Sequence, residues 1–457
     1  MLTDTIAAIS TAVGNSGISI IRISGKDSLK IIKKIFKTKY ELKHQSIVYG
    51  HIIDNVSCEK LDEVLVSYFK NPKSFTGEDV CEINCHGGRK ITLEILELVL
   101  RNGARLAEPG EFTKRAFLNG KVDLTQAEAI MDVIGAQTKK QSKIATEQLS
   151  GNLSKKIDEI NQELLTLMAQ IEVSVDYPEY DYEELSNNQI KNILQSSKNK
   201  VESLLATYND GKIIKDGIKV AIVGKPNVGK SSLLNTLAKY EKAIVTDIAG
   251  TTRDVIEENI NIGELMLNIF DTAGIRETED LVEKIGVEKS KKALEEAELV
   301  LFLVDATIGI DQEEFKLLKE SEHKNVIVIV NKIDIASKEN IEKIKEEISC
   351  ENYNIVLISA KENQGIDELK QMILNMFDND KFNLENDVII TNERHKSLLV
   401  KTKQALEESI KIVEDNMPIE IITIEIRNAM KYLGEIIGTN ISEDVIKTIF
   451  EKFCLGK

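Results

Sequence analysis

Apolar positions follow different periods in successive regions of the chain. In residues 1 to about 120, Ile18-Ser19-Ile20-Ile21-Arg22-Ile23, Val64-Leu65-Val66 and Val80-Cys81-Glu82-Ile83 read as strands, and Ile91 to Leu100 as a helix. From Val122 the period becomes helical. Ile130, Val133 and Ile134 begin a stripe running toward Leu149-Ser150-Gly151, and Thr125 followed by Glu128 fits a capping box. A second helix is predicted over Leu153 to Val173; the acidic loop Asp176 to Tyr182 then interrupts, before another helical run ends near Gly211. Four apolar runs follow, the second interrupted at Asn268: Val220 to Val223, Leu265 to Phe270, Val326 to Val330 and Ile355 to Ile358. Unbroken apolar character marks strands buried on both faces of a parallel sheet. Past Phe377, the segments Asn392 to Val413, Glu420 to Ile437 and Ser442 to Phe453 are helical again. An α/β segment flanked by helices predicts an insertion into one helical domain, with divisions at 1–120, 121–215, 216–377 and 378–457.

Each of those four runs leads into polar chemistry. Gly224-Lys225-Pro226-Asn227-Val228-Gly229-Lys230-Ser231 fits a phosphate-binding loop between a strand and a helix. Its glycines let backbone N–H groups turn inward; Lys230 can reach the β/γ oxygens and Ser231 can offer a hydroxyl to Mg²⁺. Asp271-Thr272-Ala273-Gly274 follows the second run, with Asp271 placed to bind Mg²⁺ through water and the Gly274 N–H to sense the γ-phosphate. Asn331-Lys332-Ile333-Asp334 and Ser359-Ala360-Lys361 follow the third and fourth. Asp334 can accept from N1–H and N2–H₂ of guanine, a donor pair adenine lacks, so GTP is the expected ligand. The expected contacts are Asn227, Val228, Gly229, Lys230, Ser231 and Ser232; the switch Thr246-Asp247-Ile248-Ala249-Gly250-Thr251-Thr252; Asp271 to Gly274; and Asn331, Lys332, Asp334, Ser359, Ala360 and Lys361. One switch threonine should complete the Mg²⁺ shell.

The residue after Asp271-Thr272-Ala273-Gly274 is Ile275, which cannot orient an attacking water by hydrogen bonding. Glu277, Glu279, Asp280 and Glu283 are the candidate acids, with Arg253 and Arg276 as charge stabilisers, and the residues alone do not choose among them.

With 59 basic and 75 acidic residues, the net charge of −16 excludes a whole-surface electrostatic grip on nucleic acid. RNA contact must use a local patch or a partner's surface. The most basic stretch, Lys30 to Tyr40, sets five lysines around Ile31, Ile32, Ile35 and Phe36; it reads first as a solvated helix face and second as an RNA patch. Cys58, Cys81, Cys85, Cys350 and Cys454 form no paired framework, and the amino terminus shows no signal pattern, so a reduced, cytoplasmic protein is expected. No run approaches the ~18 apolar residues of a membrane span. Cys81, Cys85 and His86 lack a second ligand pair, so no zinc site is expected.

Taken together, Ile21-Arg22-Ile23-Ser24-Gly25, Phe75-Thr76-Gly77-Glu78-Asp79, Pro109-Gly110-Glu111-Phe112, the GTPase set with Thr246 to Asp254, and the terminal Phe453-Cys454-Leu455-Gly456-Lys457 closely resemble the MnmE (TrmE) family of tRNA-modification GTPases over essentially the whole chain. The resemblance implies a fold class of α/β and α parts: an amino-terminal α+β folate-binding and dimerising domain, a discontinuous helical domain, and an inserted Ras-like P-loop GTPase. It implies a homodimer that forms a heterotetramer with an FAD-dependent partner of the MnmG (GidA) family. That complex adds a carboxymethylaminomethyl-type group to C5 of the wobble uridine of certain tRNAs. The carbon would come from 5,10-methylenetetrahydrofolate, for which 5-formyltetrahydrofolate is an analogue.

For this sequence the resemblance implies Asn227 as a side-chain ligand for K⁺, with backbone groups of Thr246, Ile248 and Thr251. Ser231 and Thr252 hold Mg²⁺, and Glu283 becomes the choice among the acids. Arg22, Glu82, Lys121 and Lys457 are implied for folate; Cys454 is positioned for one-carbon or thiol chemistry, with the inert role commoner for free cysteines as the alternative. Leu455 stands where isoleucine is familiar. The competing expectation is a GTP-gated scaffold for RNA or ribosome assembly, which has no need of a folate pocket.

Overall fold

A computed structural model describes residues 4–12, 14–176, 186–240, 258–270, 294–349, 353–377 and 388–456. The whole switch Thr246 to Thr252, together with Arg253, Asp271, Thr272, Ala273, Gly274, Ile275, Arg276, the candidate acids up to Glu283, the loop Tyr177 to Tyr182, and Lys457, lies outside the described residues. The chain divides into two compact units: Met1–Ile134, Thr146–Ser203 and Arg394–Lys457 in one, Gly135–Ala145 and Leu204–Glu393 in the other.

The first unit opens with β1 (Ile6–Ile9), β2 (Ile18–Ser24), α1 (Ser28–Ile35), β3 (Phe36–Lys37), β4 (Ser46–Ile53), β5 (Lys60–Phe69), β6 (Val80–His86), α2 (Arg89–Arg101), β7 (Arg105–Leu106) and α3 (Glu111–Leu118). The sheet order is β3-β4-β5-β6-β2-β1-β7, antiparallel except for β1 with β7. Alternation decides its two faces. Ile21, Ile23, Val64, Val66, Ile83 and Cys85 pack with Ile31, Ile35, Ile95 and Val99 of the two helices. The other face carries Arg22, Glu82, Leu65, Ile47 and Tyr49, of which Ile47 is 69% and Tyr49 51% exposed. The helix expected around Lys30 stops at Ile35, because Phe36 turns extended, pairs with Ile52 and is buried at the sheet edge.

Next come α4 (Leu124–Gly135), α5 (Lys139–Leu149), α6 (Asn152–Asp176), α7 (Asn187–Ala206) and α8 (Tyr208–Asp216). The single stripe expected from Val122 to Leu149 is thus two helices. Gln141 Oε1 accepts from the backbone N–H of Gln137 (2.7 Å) and Thr138 (3.1 Å), while Thr138 Oγ1 accepts from Gln141 N–H (3.2 Å), so α5 has its own start. The capping pair of α4 also falls elsewhere than expected. Asp123 Oδ1 accepts from Gln126 N–H, and Gln126 Oε1 from Asp123 N–H, both at 3.0 Å. Glu128 is therefore free of capping and takes a different role, described below.

The second unit's sheet contains β8 (Ile218–Val223), β9 (Glu258–Ile262), β10 (Leu265–Phe270), β11 (Leu299–Asp305), β12 (Asn325–Asn331) and β13 (Asn354–Leu357), ordered β13-β12-β11-β8-β10-β9. All pairs are parallel except β9 with β10. Among the described residues, helices α9 (Lys230–Tyr240), α10 (Gln312–Glu320), α11 (Lys338–Ser349) and α12 (Ile366–Phe377) accompany it. Every residue of β11 is buried: Leu299, Leu301 and Leu303 enter one core, Val300, Phe302 and Val304 the other. That is the physical content of an unbroken apolar strand.

The chain ends in α13 (Glu393–Glu414), α14 (Ile419–Ile437), which packs along α6, and α15 (Glu443–Phe450). Within the first unit, Glu128 of α4 accepts from Arg394 Nε (3.0 Å) and Nη2 (2.8 Å), with His395 Nε2 at 2.8 Å. Burial opposes ionisation of Glu128, but His395 and Arg394 outweigh it and hold the carboxyl at about 2. Because the folded value lies below the unfolded one, Glu128 contributes stability above an unfolded value of roughly 4.3, and that contribution fades as pH falls toward 2. Glu128→Gln should therefore cost about 3 kcal/mol of stability near neutral pH. In urea unfolding followed against pH, the gap from wild type should close under acid; a gap that ignores pH would mean the loss is one of shape.

Candidate functional site

The phosphate loop leaves the carboxyl end of β8 and enters α9. Gly224 (φ 155°), Asn227 (φ 62°) and Gly229 (φ 106°) all have positive φ, the backbone conformation from which anion-binding nests are built. A Cβ on Gly229 would sit 2.1 Å from Asn331 Nδ2, so the glycine is needed for close approach as well as for its dihedral. Lys230 Nζ donates to Gly224 O at 2.6 Å, with the ammonium curled over its own loop. Asn227 and Ser232 are exposed, and Ser231 half-buried at the start of α9.

Two further motifs converge on this loop from neighbouring strand ends. Asn331, buried at the end of β12, donates through Nδ2 to Val228 O (2.8 Å) and accepts at Oδ1 from Ala360 N–H (3.0 Å). Thr236 of α9 donates to Ala360 O at 3.0 Å. One asparagine thus ties the phosphate loop to the Ser359-Ala360-Lys361 turn. Asp334 and Lys361 are exposed on the same loops. Of the expected nucleotide contacts within the described residues, the structure brings together the phosphate loop, Asn331, Lys332 and Ala360.

Sequence reasoning missed two acidic anchors. Asp305, the last residue of β11, pairs with Asn331 in the sheet register and accepts from Lys332 Nζ at 2.6 Å. Burial opposes its ionisation, but Lys332 and the N–H and hydroxyl of Thr307 hold its carboxyl below the usual range. Lys332 itself adopts φ 66°. Asp311, which caps α10 in a box with Glu314, receives Lys225 of the phosphate loop, and Glu314 Oε2 lies 3.3 Å from the same ammonium. The available signal for Asp305 was positional: like Asn331, it is the first polar residue after a buried apolar run.

In the first unit, Arg22 and Glu82 stand directly opposite across β2 and β6, with Nε to Oε1 at 2.8 Å. The Arg22 guanidinium lies over Phe75 (5.1 Å) and Phe112 (5.7 Å). Lys121 is exposed after α3 and donates to Pro72 O at 3.2 Å. The carboxyl-terminal tail is sewn to the same region. Ser10 Oγ donates to Gly456 O (3.0 Å), Gly110 N–H to Cys454 O (3.4 Å), and Phe450 and Phe453 pack with Phe117 and Leu124. Cys454 is half-buried, and Gly110, which holds its carbonyl, is two residues from the Phe112 ring beneath Arg22. Cys81 and Cys85 point into the core, where burial pushes the Cys81 thiol up to about 12 and raises that of Cys85, leaving both unreactive.

Asp305→Asn should weaken guanine-nucleotide binding about tenfold, since a charge-assisted hydrogen bond is worth ~1.5–3 kcal/mol. Turnover at saturation should be unchanged. Fluorescent GDP titration beside steady-state hydrolysis separates the two; equal loss in both would make Asp305 a general fold element.

A profile described as the GTP-binding protein TrmE N-terminus matches residues 5–121, and one for the MnmE helical domain matches residues 124–454. A tRNA modification GTPase MnmE from Acetivibrio thermocellus is 48% identical over 457 residues, 99% of each chain. One of the same name from Lactobacillus gasseri is 48% identical over 456 residues, 99% of this chain and 98% of that one. A solved Era structure from Aquifex aeolicus is 35% identical, covering 41% of this chain and 65% of that chain at a TM-score of 0.29, too low to bear on the fold.

Proposed function

The chain belongs to the MnmE family of tRNA modification GTPases, and from that premise we propose how its two sites divide the work. It is a GTP hydrolase acting in tRNA modification. The proposal is that hydrolysis is K⁺-activated and drives, with an FAD-dependent MnmG partner, transfer of a tetrahydrofolate-derived carbon to C5 of a wobble uridine as part of a carboxymethylaminomethyl-type group. The observation that carries the nucleotide half is the joining of the phosphate loop, Asn331 and Ala360 at the carboxyl ends of β8, β12 and β13.

The loop's positive-φ backbone and Lys230 suit a triphosphate, since the ammonium already rests on a carbonyl that anionic oxygens can replace. Ser231 and Thr252 would hold Mg²⁺. Asn227, exposed on the loop with its backbone left-handed, would hold K⁺ together with Thr246, Ile248 and Thr251. A monovalent cation bound there supplies positive charge beside the phosphates in place of an arginine. Glu283 is assigned to orient water, the task that Ile275 cannot perform.

For folate, Arg22 and Glu82 supply a cation and a carboxylate that now satisfy each other, and an aromatic floor from Phe75 and Phe112. A pterin edge can take Glu82's acceptors, and Arg22, Lys121 or Lys457 can pair with folate carboxylates. The Cys454 backbone is held at Gly110, which supports a role for the tail at that pocket. Ile47, Tyr49 and Leu65 on the outer sheet face support a homodimer formed through this domain.

Steady-state GTP hydrolysis in K⁺ against Na⁺ at matched ionic strength tests the nucleotide half. Activation by K⁺ alone, lost in Asn227→Ala, is expected, and indifference to the cation would overturn the K⁺ site. Glu283→Ala should retain GTP binding while losing most of the hydrolysis. Calorimetric titration with 5-formyltetrahydrofolate tests the other half: binding by wild type and at least about tenfold weaker binding by Glu82→Ala are expected from loss of a charge-assisted pair. A folded protein that binds no folate would favour a GTP-gated scaffold.

A further inference from the structure

We propose that the lysine face of α1 and the β3–β4 connection forms a docking track for the phosphates of tRNA, leading along the sheet edge to the Lys121 region. The inference rests on the tRNA-modification reading and adds to it the surface that holds the substrate. The chain carries a net charge of −16, so a tRNA of high negative charge is repelled almost everywhere on it. Residues 26–43 depart from that average: Lys26, Lys30, Lys33, Lys34, Lys37, Lys39 and Lys43 stand against Asp27 and Glu41 alone.

The fold turns this composition into a surface. Ile31, Ile32, Ile35 and Phe36 are buried, which forces Lys30, Lys33, Lys34, Lys37 and Lys39 outward, and all five are exposed. Asp27 takes Lys30, Glu41 lies 3.7 Å from Lys43, and Lys34 reaches only the carbonyl of Asn102. Among the described residues, Lys33, Lys37 and Lys39 have no ion pair, so their charge is not cancelled. Tyr40, 70% exposed, sits among them and offers a ring on which an unpaired base can stack.

Direction comes from the neighbouring loop. His44 Nδ1 accepts from the backbone N–H of Lys70 at 3.0 Å, so the end of the lysine segment abuts the loop that begins at Lys70. That loop carries exposed Lys73, and its Pro72 carbonyl accepts from Lys121 Nζ at 3.2 Å. Basic residues therefore continue from Lys33 through Lys39, Lys43, Lys70 and Lys73 to Lys121, the lysine assigned to folate. A duplex arm laid on α1 would direct its single-stranded end toward the pocket where the carbon donor is proposed to bind. An acidic protein surface is also attracted by such a patch, but Tyr40 and the course toward Lys121 favour RNA.

The test uses the full chain and a tRNA transcript with an unmodified wobble uridine, with affinity measured by filter binding across a NaCl series. The variant Lys33→Glu/Lys37→Glu/Lys39→Glu is compared with Lys316→Glu/Lys345→Glu/Lys411→Glu, which changes net charge equally at other exposed positions. The first should bind tRNA at least about tenfold more weakly and lower the log–log salt slope by about 2–3, since each lost phosphate contact removes ~0.7–0.9. The second should lose less than about twofold, GTP turnover without tRNA should be unchanged in both, and an unchanged thermal melt should report that both units fold. Equal losses in the two variants, or no loss in the first, would overturn the track. Retained tRNA binding with lost association to the flavoprotein partner would assign the face to a protein instead. No tRNA binding by the wild-type chain in any nucleotide state would sink the tRNA reading itself.

Discussion

Burial of the second unit's sheet on both faces is the constraint from which its chemistry follows. Leu299 to Val304 and Val326 to Val330 have apolar neighbours above and below, so no polar side chain can be satisfied along their length. Polar groups collect where the strands end, and because β8, β11, β12 and β13 are parallel, those ends lie side by side. Asn331 can then reach both Val228 and Ala360, and Asp305 can reach Lys332, although the partners are far apart in the chain. The meeting of these motifs is thus a consequence of strand direction.

The amino-terminal sheet works differently, since only one of its faces is covered by α1 and α2. Its open face carries Arg22 and Glu82, which remain paired to each other beside aromatic rings rather than buried in the core. Beneath α3, the fully buried Arg115 joins Asp4, Glu78 and Glu111. A buried guanidinium is costly to strip of any one of these carboxylates, so this cluster fixes the Thr76 to Asp79 turn and the start of α3 relative to β1. The tail then docks by backbone contacts: Gly456 (φ 88°) lies so close to Ile9 O that a Cβ would stand 2.1 Å away. Glycine in the terminal motif has a packing reason independent of any ligand.

Where reading along the chain went astray, the cause was a partner distant in sequence. Thr125 and Glu128 have the right spacing for a capping box, yet Asp123 and Gln126 form it, because Arg394 and His395 claim Glu128. The long helical stripe after Val122 breaks where Gln141 folds back on Gln137 and Thr138. Periodicity reports which face is apolar and is blind to a polar side chain that competes for backbone donors. The lysines of α1 are exposed, as the apolar pattern of Ile31, Ile32 and Ile35 requires; what the pattern does not show is that His44 adjoins Lys70 or that Pro72 adjoins Lys121.

By itself the sequence determined the fold class, the guanine-nucleotide motifs and the family, because each is written in local spacing: apolar runs, glycines at fixed offsets, and a polar residue after each run. Tertiary structure alone decided that Asp305 holds Lys332 and Asp311 holds Lys225, that Asn331 tethers the phosphate loop to Ala360, and that Cys454 lies against Gly110. Those outcomes depend on which strand ends and which helix termini become neighbours. That is set by packing of the buried faces over separations that no local pattern encodes.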